Sequence, residues 1–114
     1  MLPIYTGFRR RPNPTSRQLR SNGGFLVRVN AARALELPED ECTALIERER
    51  ARGRELMRQN VIGGFWRLPG ARSNIGIWSV SRADALEEVL DTLPIRPYAD
   101  FDITALATHP MFGT

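Results

Sequence analysis

Apolar positions recur along residues 38–60, PEDECTALIERERARGRELMRQN, at the three-and-four spacing that lines one face of a helix. Cys42, Leu45, Ile46, Leu56 and Met57 form that stripe. Two positions that should continue it are Glu49 and Gly53, a carboxylate and a missing side chain one turn apart. The pattern predicts a long amphipathic helix whose buried face contains a small cavity lined by an acid. A purely structural reading competes with this one: Glu49 turns aside to pair with Arg48, Arg50 or Arg52, and Gly53 admits the close approach of a strand.

On either side of this helix the period changes to two. Residues 25–30, FLVRVN, alternate so that Phe25, Val27 and Val29 share one face of a strand and Leu26, Arg28 and Asn30 the other. Residues 63–68 and 74–80 read as a second and third strand, joined through Pro69-Gly70, a turn that needs a positive backbone angle at glycine. Ser81 and Asp84 have the spacing of a capping box and predict a second helix that buries Ala85, Leu86, Val89 and Leu90. Leu93-Pro94-Ile95-Arg96-Pro97 stops it. From residue 98 to about 108, Ala99, Phe101, Ile103, Ala105 and Ala107 alternate with Tyr98, Asp100, Asp102, Thr104 and Leu106, a fourth strand. The order βαββαβ predicts an α+β, ferredoxin-like fold, a four-stranded antiparallel sheet with both helices on one face. The helix-free face carries aromatic and aliphatic residues and is expected to pair with a second chain.

Composition narrows the class. With 114 residues, 42% hydrophobic and 25% charged, the chain has the profile of one globular domain, residues 23–114, preceded by a basic extension over residues 1–22 that is expected to be flexible. No apolar run approaches the length of a membrane span, and the first residues lack the pattern of a secretory signal, so a cytoplasmic location is expected. One cysteine, Cys42, gives neither a disulfide framework nor a metal-ligand cluster. The net charge of +3 comes from the extension, where Arg9, Arg10, Arg11, Arg17 and Arg20 stand without an acid; the remainder is slightly acidic. The third strand, NIGIWSV, also lacks the alternating aromatics and the basic residue followed by glycine that an RNA-recognition module uses, which argues against a nucleic-acid partner.

A more specific pattern runs through the domain. Phe25 with Val27-Arg28, Leu37-Pro38, Arg48-Glu49, Glu55-Leu56, Trp66-Arg67, Gly70, Asn74, Leu93-Pro94, Pro97-Tyr98 and His109-Pro110 occur in an order and spacing that resembles the muconolactone delta-isomerase family. The resemblance implies a homodimer in which two sheets face each other as an α/β barrel, often assembled further into a decamer. It also implies cofactor-free isomerisation of a small unsaturated lactone bearing an acetate arm, muconolactone to 3-oxoadipate enol-lactone or a related substrate. One proton leaves the ring carbon that carries the arm, and one returns to the carbon beside the lactone carbonyl. Such chemistry needs a base, a donor at the carbonyl oxygen and a cation for the carboxylate.

Set against those needs, Glu49 is the candidate base, because a carboxylate on an apolar face is partly desolvated and its pKa rises. Arg28 is the candidate for the carboxylate or the developing oxyanion, since guanidinium offers a planar fork. Tyr98 is a candidate donor and, with Trp66, a wall for the ring; Asn74 is a candidate donor to the lactone carbonyl. Arg52 and Gly53 are expected in the substrate pocket, and His109, the only histidine, is a candidate proton shuttle. The chain departs from the family pattern at Arg52-Gly53-Arg54, where tyrosine or serine and glutamine-like groups are usual, at Gly64, near a histidine position, and at Asn30, where aspartate is common. Loss of bulk at Gly53 and Gly64 is expected to enlarge the pocket, toward a larger cyclic lactone. The alternatives are a related dimeric α/β-barrel oxygenase, dehalogenase or cyclase, and a non-catalytic ligand-binding or assembly protein.

Overall fold

The computed structural model describes residues 23–112. The basic extension and the last two residues lie outside them. Strand β1 (Phe25–Asn30) leads through a short 3-10 turn (Ala34–Glu36) into helix α1 (Glu39–Arg58), then strands β2 (Ile62–Leu68) and β3 (Ser73–Trp78), helix α2 (Ala83–Leu90) and strand β4 (Asp100–Ala105). The strands form one antiparallel sheet in the order β2-β3-β1-β4, the ferredoxin-like arrangement.

The register assigns every strand residue to a face. Phe25, Val27 and Val29 of β1 stand opposite Trp78, Gly76 and Asn74 of β3 and opposite Ala105, Ile103 and Phe101 of β4, all on the side covered by the helices. Phe25 and Val27 are wholly buried there with Leu45 and Leu56 of α1 and Leu86 and Leu90 of α2. Leu26, Arg28, Asn30, Trp66, Ile75, Ile77, Asp102 and Thr104 occupy the other face, which no helix covers.

Local chemistry sets the boundaries. Pro38 caps α1, whose first turn holds Glu39, Asp40 and Glu41 near the positive end of the helix dipole and whose last turn holds Arg58. Asn60 stops it in the left-handed region at φ 62°. There Asn60 N–H donates to Met57 O at 3.0 Å and Val61 N–H to Leu56 O at 2.9 Å, the paired bonds of a Schellman end. Between β2 and β3, Gly70 has φ 81° and Ala71 N–H donates to Leu68 O at 3.2 Å, as a type II turn with proline at its second position requires.

Two expected details differ. Ser81 does not cap α2; Arg82 stands at the cap position, and Asp84 is held by its guanidinium and by Ala85 N–H at 2.8 Å. The ion pair lowers the Asp84 pKa and leaves no carboxylate for a capping box. Strand β4 is also shorter than its alternation suggests. Tyr98 lies in a 3-10 turn (Arg96–Tyr98), and Arg33 binds Ala99 O at 3.0 Å and Asp100 at 3.1 Å, so pairing begins only at Asp100. Leu106 closes it by donating to Gly24 O at 2.9 Å.

Gly24 sits at φ 82°, and a Cβ there would lie 2.5 Å from Trp78 O. Gly24→Ala therefore meets both a left-handed backbone and a clash with rigid main chain. It is expected to lower stability by roughly 1–3 kcal/mol, read as a lower urea midpoint at unchanged slope.

Candidate active site

Helix α1 packs against the sheet through Leu45 and Leu56, and between these two buried residues its stripe is interrupted by Glu49 and Gly53. The interruption opens a cavity of about 210 Å³ between α1 and the helix-covered face of the sheet. Its apolar walls are Val29, Met57, Ile62, Phe65, Trp78 and Leu93. Gly53 does not serve close packing: a Cβ built there would touch nothing within 4 Å, so the missing side chain is open space.

Glu49 lines this cavity, and its Oε1 accepts a hydrogen bond from Ile95 N–H at 3.0 Å. Burial pushes the carboxyl above its ordinary pKa, and the Ile95 N–H opposes that rise only in part. Among the described residues no donor reaches its other oxygen, Oε2. Asn74 lines the same cavity from β3, opposite Val29 in the register. Its Oδ1 is buried without a hydrogen-bond partner. Buried polar atoms are seldom left unpaired, so an amide so placed is suited to a bound polar group, and a half-turn would present its N–H donors at the same point. Arg50 and Arg54 of α1 complete the lining.

Glu49, Gly53 and Asn74 thus share one site. The other candidate residues stand elsewhere in this chain. Arg28 and Trp66 lie on the helix-free face, because alternation places them one residue out of phase with Val29 and Phe65. Arg28 borders a groove with Asn30, Asp100 and Asp102 instead. Tyr98 flanks a shallow groove with Leu37, Glu41 and Arg48 beside the first half of α1. Arg52 binds Glu55 and donates to Thr92 Oγ1 at 3.0 Å, which ties α1 to the segment after α2. His109 is exposed in the C-terminal segment and accepts Met111 N–H at 3.1 Å. Gly64 leaves no cavity either: the Trp66 indole covers it, and a Cβ there would meet that ring at 2.5 Å. Asn30 accepts Ala32 N–H at 2.9 Å and shapes the turn after β1.

The helix stripe was sufficient to mark Glu49 and Gly53, but Arg50 and Arg54 were concealed in a helix with an arginine at nearly every second position from 48 to 54. The signal that identifies them is their spacing from Gly53 and Met57, which puts all four on adjoining ridges. Among the described residues no group of three or more histidine, cysteine, aspartate or glutamate side chains could hold a metal, and no helix is long and apolar enough to cross a membrane.

Comparisons with known proteins identify the family. The muconolactone delta-isomerase family model matches residues 24–111. The Muconolactone Delta-isomerase of Acinetobacter baylyi is 34% identical over 86 residues, covering 75% of this chain and 90% of that protein. That of Rhodococcus opacus is 36% identical over 85 residues, covering 75% and 91%. The crystal structure of a muconolactone isomerase superposes with a TM-score of 0.69 at 27% identity, over 75% of this chain and 90% of that one. With the family pattern running from β1 to the C-terminal turn, the chain belongs to the muconolactone delta-isomerase family, whose named members are isomerases that move a double bond.

Proposed function

We propose that this chain isomerises muconolactone or a closely related unsaturated lactone by cofactor-free proton transfer, with Glu49 as the base. The observation that carries the reading is a partly desolvated carboxylate and an amide oxygen buried without a partner, both lining one apolar cavity. Ionised Glu49 takes the proton from the ring carbon that bears the arm. The electrons of that C–H bond form a new double bond to the adjacent ring carbon, the original ring π pair moves to the bond beside the carbonyl, and the carbonyl oxygen takes up dienolate charge. Asn74, turned with its N–H toward that oxygen, stabilises the charge as it develops. Protonated Glu49 then delivers the proton to the carbon beside the carbonyl, so one proton leaves, one returns, and the carboxylate is regenerated. The apolar walls keep water from the dienolate and keep the base less solvated than it would be at the surface.

The same reading includes a second copy of the chain. Trp66 is 53% exposed on the helix-free face beside Ile75 and Ile77, an unusual position for an indole in a monomer. A homodimer formed by two such faces buries it. Trp66→Glu places charge in that contact and is expected to convert a dimer to a monomer in light scattering, with the far-ultraviolet spectrum retained; a monomeric parent protein overturns the assignment.

Glu49→Gln separates catalysis from anchoring. Gln still accepts the Ile95 N–H, yet it carries no charge to desolvate. A carboxyl whose pKa is raised on folding binds its proton more tightly in the folded state, so its stabilising contribution is present at low pH and is lost as pH rises through the folded pKa. The Gln variant is therefore expected to be at least as stable as the parent at neutral pH, while turnover of muconolactone falls by roughly 10²–10⁴. In the parent, kcat/KM should rise with pH through a pKa above the ordinary carboxylate range. A variant that loses stability and keeps its residual rate per folded molecule assigns Glu49 to anchoring.

Gly53→Ala tests the cavity. In a helix interior, with nothing nearby to clash, the methyl group is expected to stabilise the fold by about 0.5–1 kcal/mol. It also narrows the cavity, so KM for muconolactone should rise while the thermal midpoint increases.

A further inference from the structure

We infer that Arg50 and Arg54 form the anion subsite of this cavity and select lactones whose arm ends in a free carboxylate. This deepens the isomerase reading and rests on it for the identity of the ring. The cavity has six apolar walls and few polar groups: Glu49, Asn74 and these two arginines. Arg50 and Arg54 are four residues apart on α1, so their guanidinium groups rise from neighbouring positions on one ridge of the helix. Arg33, Arg52, Arg82 and Arg96 each have a carboxylate partner within the chain. Among the described residues Arg50 and Arg54 have none, a property they share with Arg28, Arg48, Arg58, Arg67 and Arg72, but of these arginines they alone border the cavity, and both are exposed there.

Electrostatics gives the pair its purpose. A base that works as Glu49 must be ionised when substrate enters, and an acetate arm brings a second negative charge into the same small space. Like charges at that range repel, and burial strengthens the repulsion. Two guanidinium groups at the rim outweigh one carboxylate and hold the arm at the solvent end, with the ring left among the apolar walls. Arg28, on the helix-free face, is separated from Glu49 by the thickness of the sheet. The subsite thus begins one residue from the base on the same helix, and its second member, Arg54, follows directly on Gly53.

The test compares a charged arm with a neutral one. The saturated lactone acetate, which has no double bond to move, and its methyl ester are titrated by calorimetry into the parent protein and into the double variant Arg50→Gln/Arg54→Gln. The parent is expected to bind the acid about ten- to a hundredfold more tightly than the ester, since charge-assisted hydrogen bonds are worth that factor. Added salt should reduce the difference. The double variant is expected to lose the preference, and Arg50→Lys/Arg54→Lys to recover part of it, which a merely structural role would not do. A parent with no preference, or a double variant that keeps it, overturns the subsite. The single variant Arg54→Gln gives the same reading if the double variant does not fold. Turnover of the unsaturated acid is measured alongside. An arginine-dependent preference without isomerisation retains the subsite and removes the isomerase reading, whereas isomerisation with an arginine-independent preference does the reverse.

Discussion

Burial of Phe25, Val27 and Val29 on one side of β1 is the constraint on which the other features depend. This strand lies between β3 and β4, so its alternation is imposed on both neighbours through the register. A shift by one residue would exchange the two faces of the sheet. With the register as it is, Val29 and Asn74 stand under α1, and Arg28 and Ile75 stand on the helix-free side. The separation of cavity from open face is therefore already decided by three apolar residues in the first strand.

Against that base, α1 gives up packing to make space. Two turns of its stripe could have carried leucine; they carry Glu49 and Gly53 instead, and the buried residues on either side, Leu45 and Leu56, have to hold the helix down. Desolvating a carboxylate costs free energy, only part of which the Ile95 N–H returns. The helix is further attached to the segment after α2 by the bond from Arg52 to Thr92. Arg96 reinforces the same region from the other side, paired with Glu87 and Asp91 and lying 4.6 Å over the Phe101 ring. Local instability at the site is thus carried by a neighbourhood dense in polar contacts.

Much of this was legible from periodicity. A period of 3.6 placed Glu49 and Gly53 on the buried face of α1, and a period of two separated Arg28 from Val29, because both signals arise from backbone geometry that tertiary contacts preserve. The strand order followed from the element order. Features that depend on competition between neighbours were less legible. Ser81 had the spacing of a cap, but Arg82 claimed Asp84. Tyr98 continued an alternating pattern, yet Pro97 and the Arg33 bonds delayed the strand. Chemical type alone does not give position: Arg28, Trp66 and Tyr98 suit a lactone site by chemistry and lie outside this cavity, whereas Asn74, the candidate donor to the carbonyl, lines it.

The extra residue between Ile62 and Gly64 breaks the ladder at the start of β2, which is an outer strand of the sheet. A bulge increases twist and leaves an uneven row of backbone donors and acceptors. An incoming strand finds no straight template there, and at the opposite margin β4 carries Asp100 and Asp102. Both margins thus resist the strand-by-strand growth that leads to fibres, and this protects a chain whose helix-free sheet face exposes Trp66 from uncontrolled polymerisation.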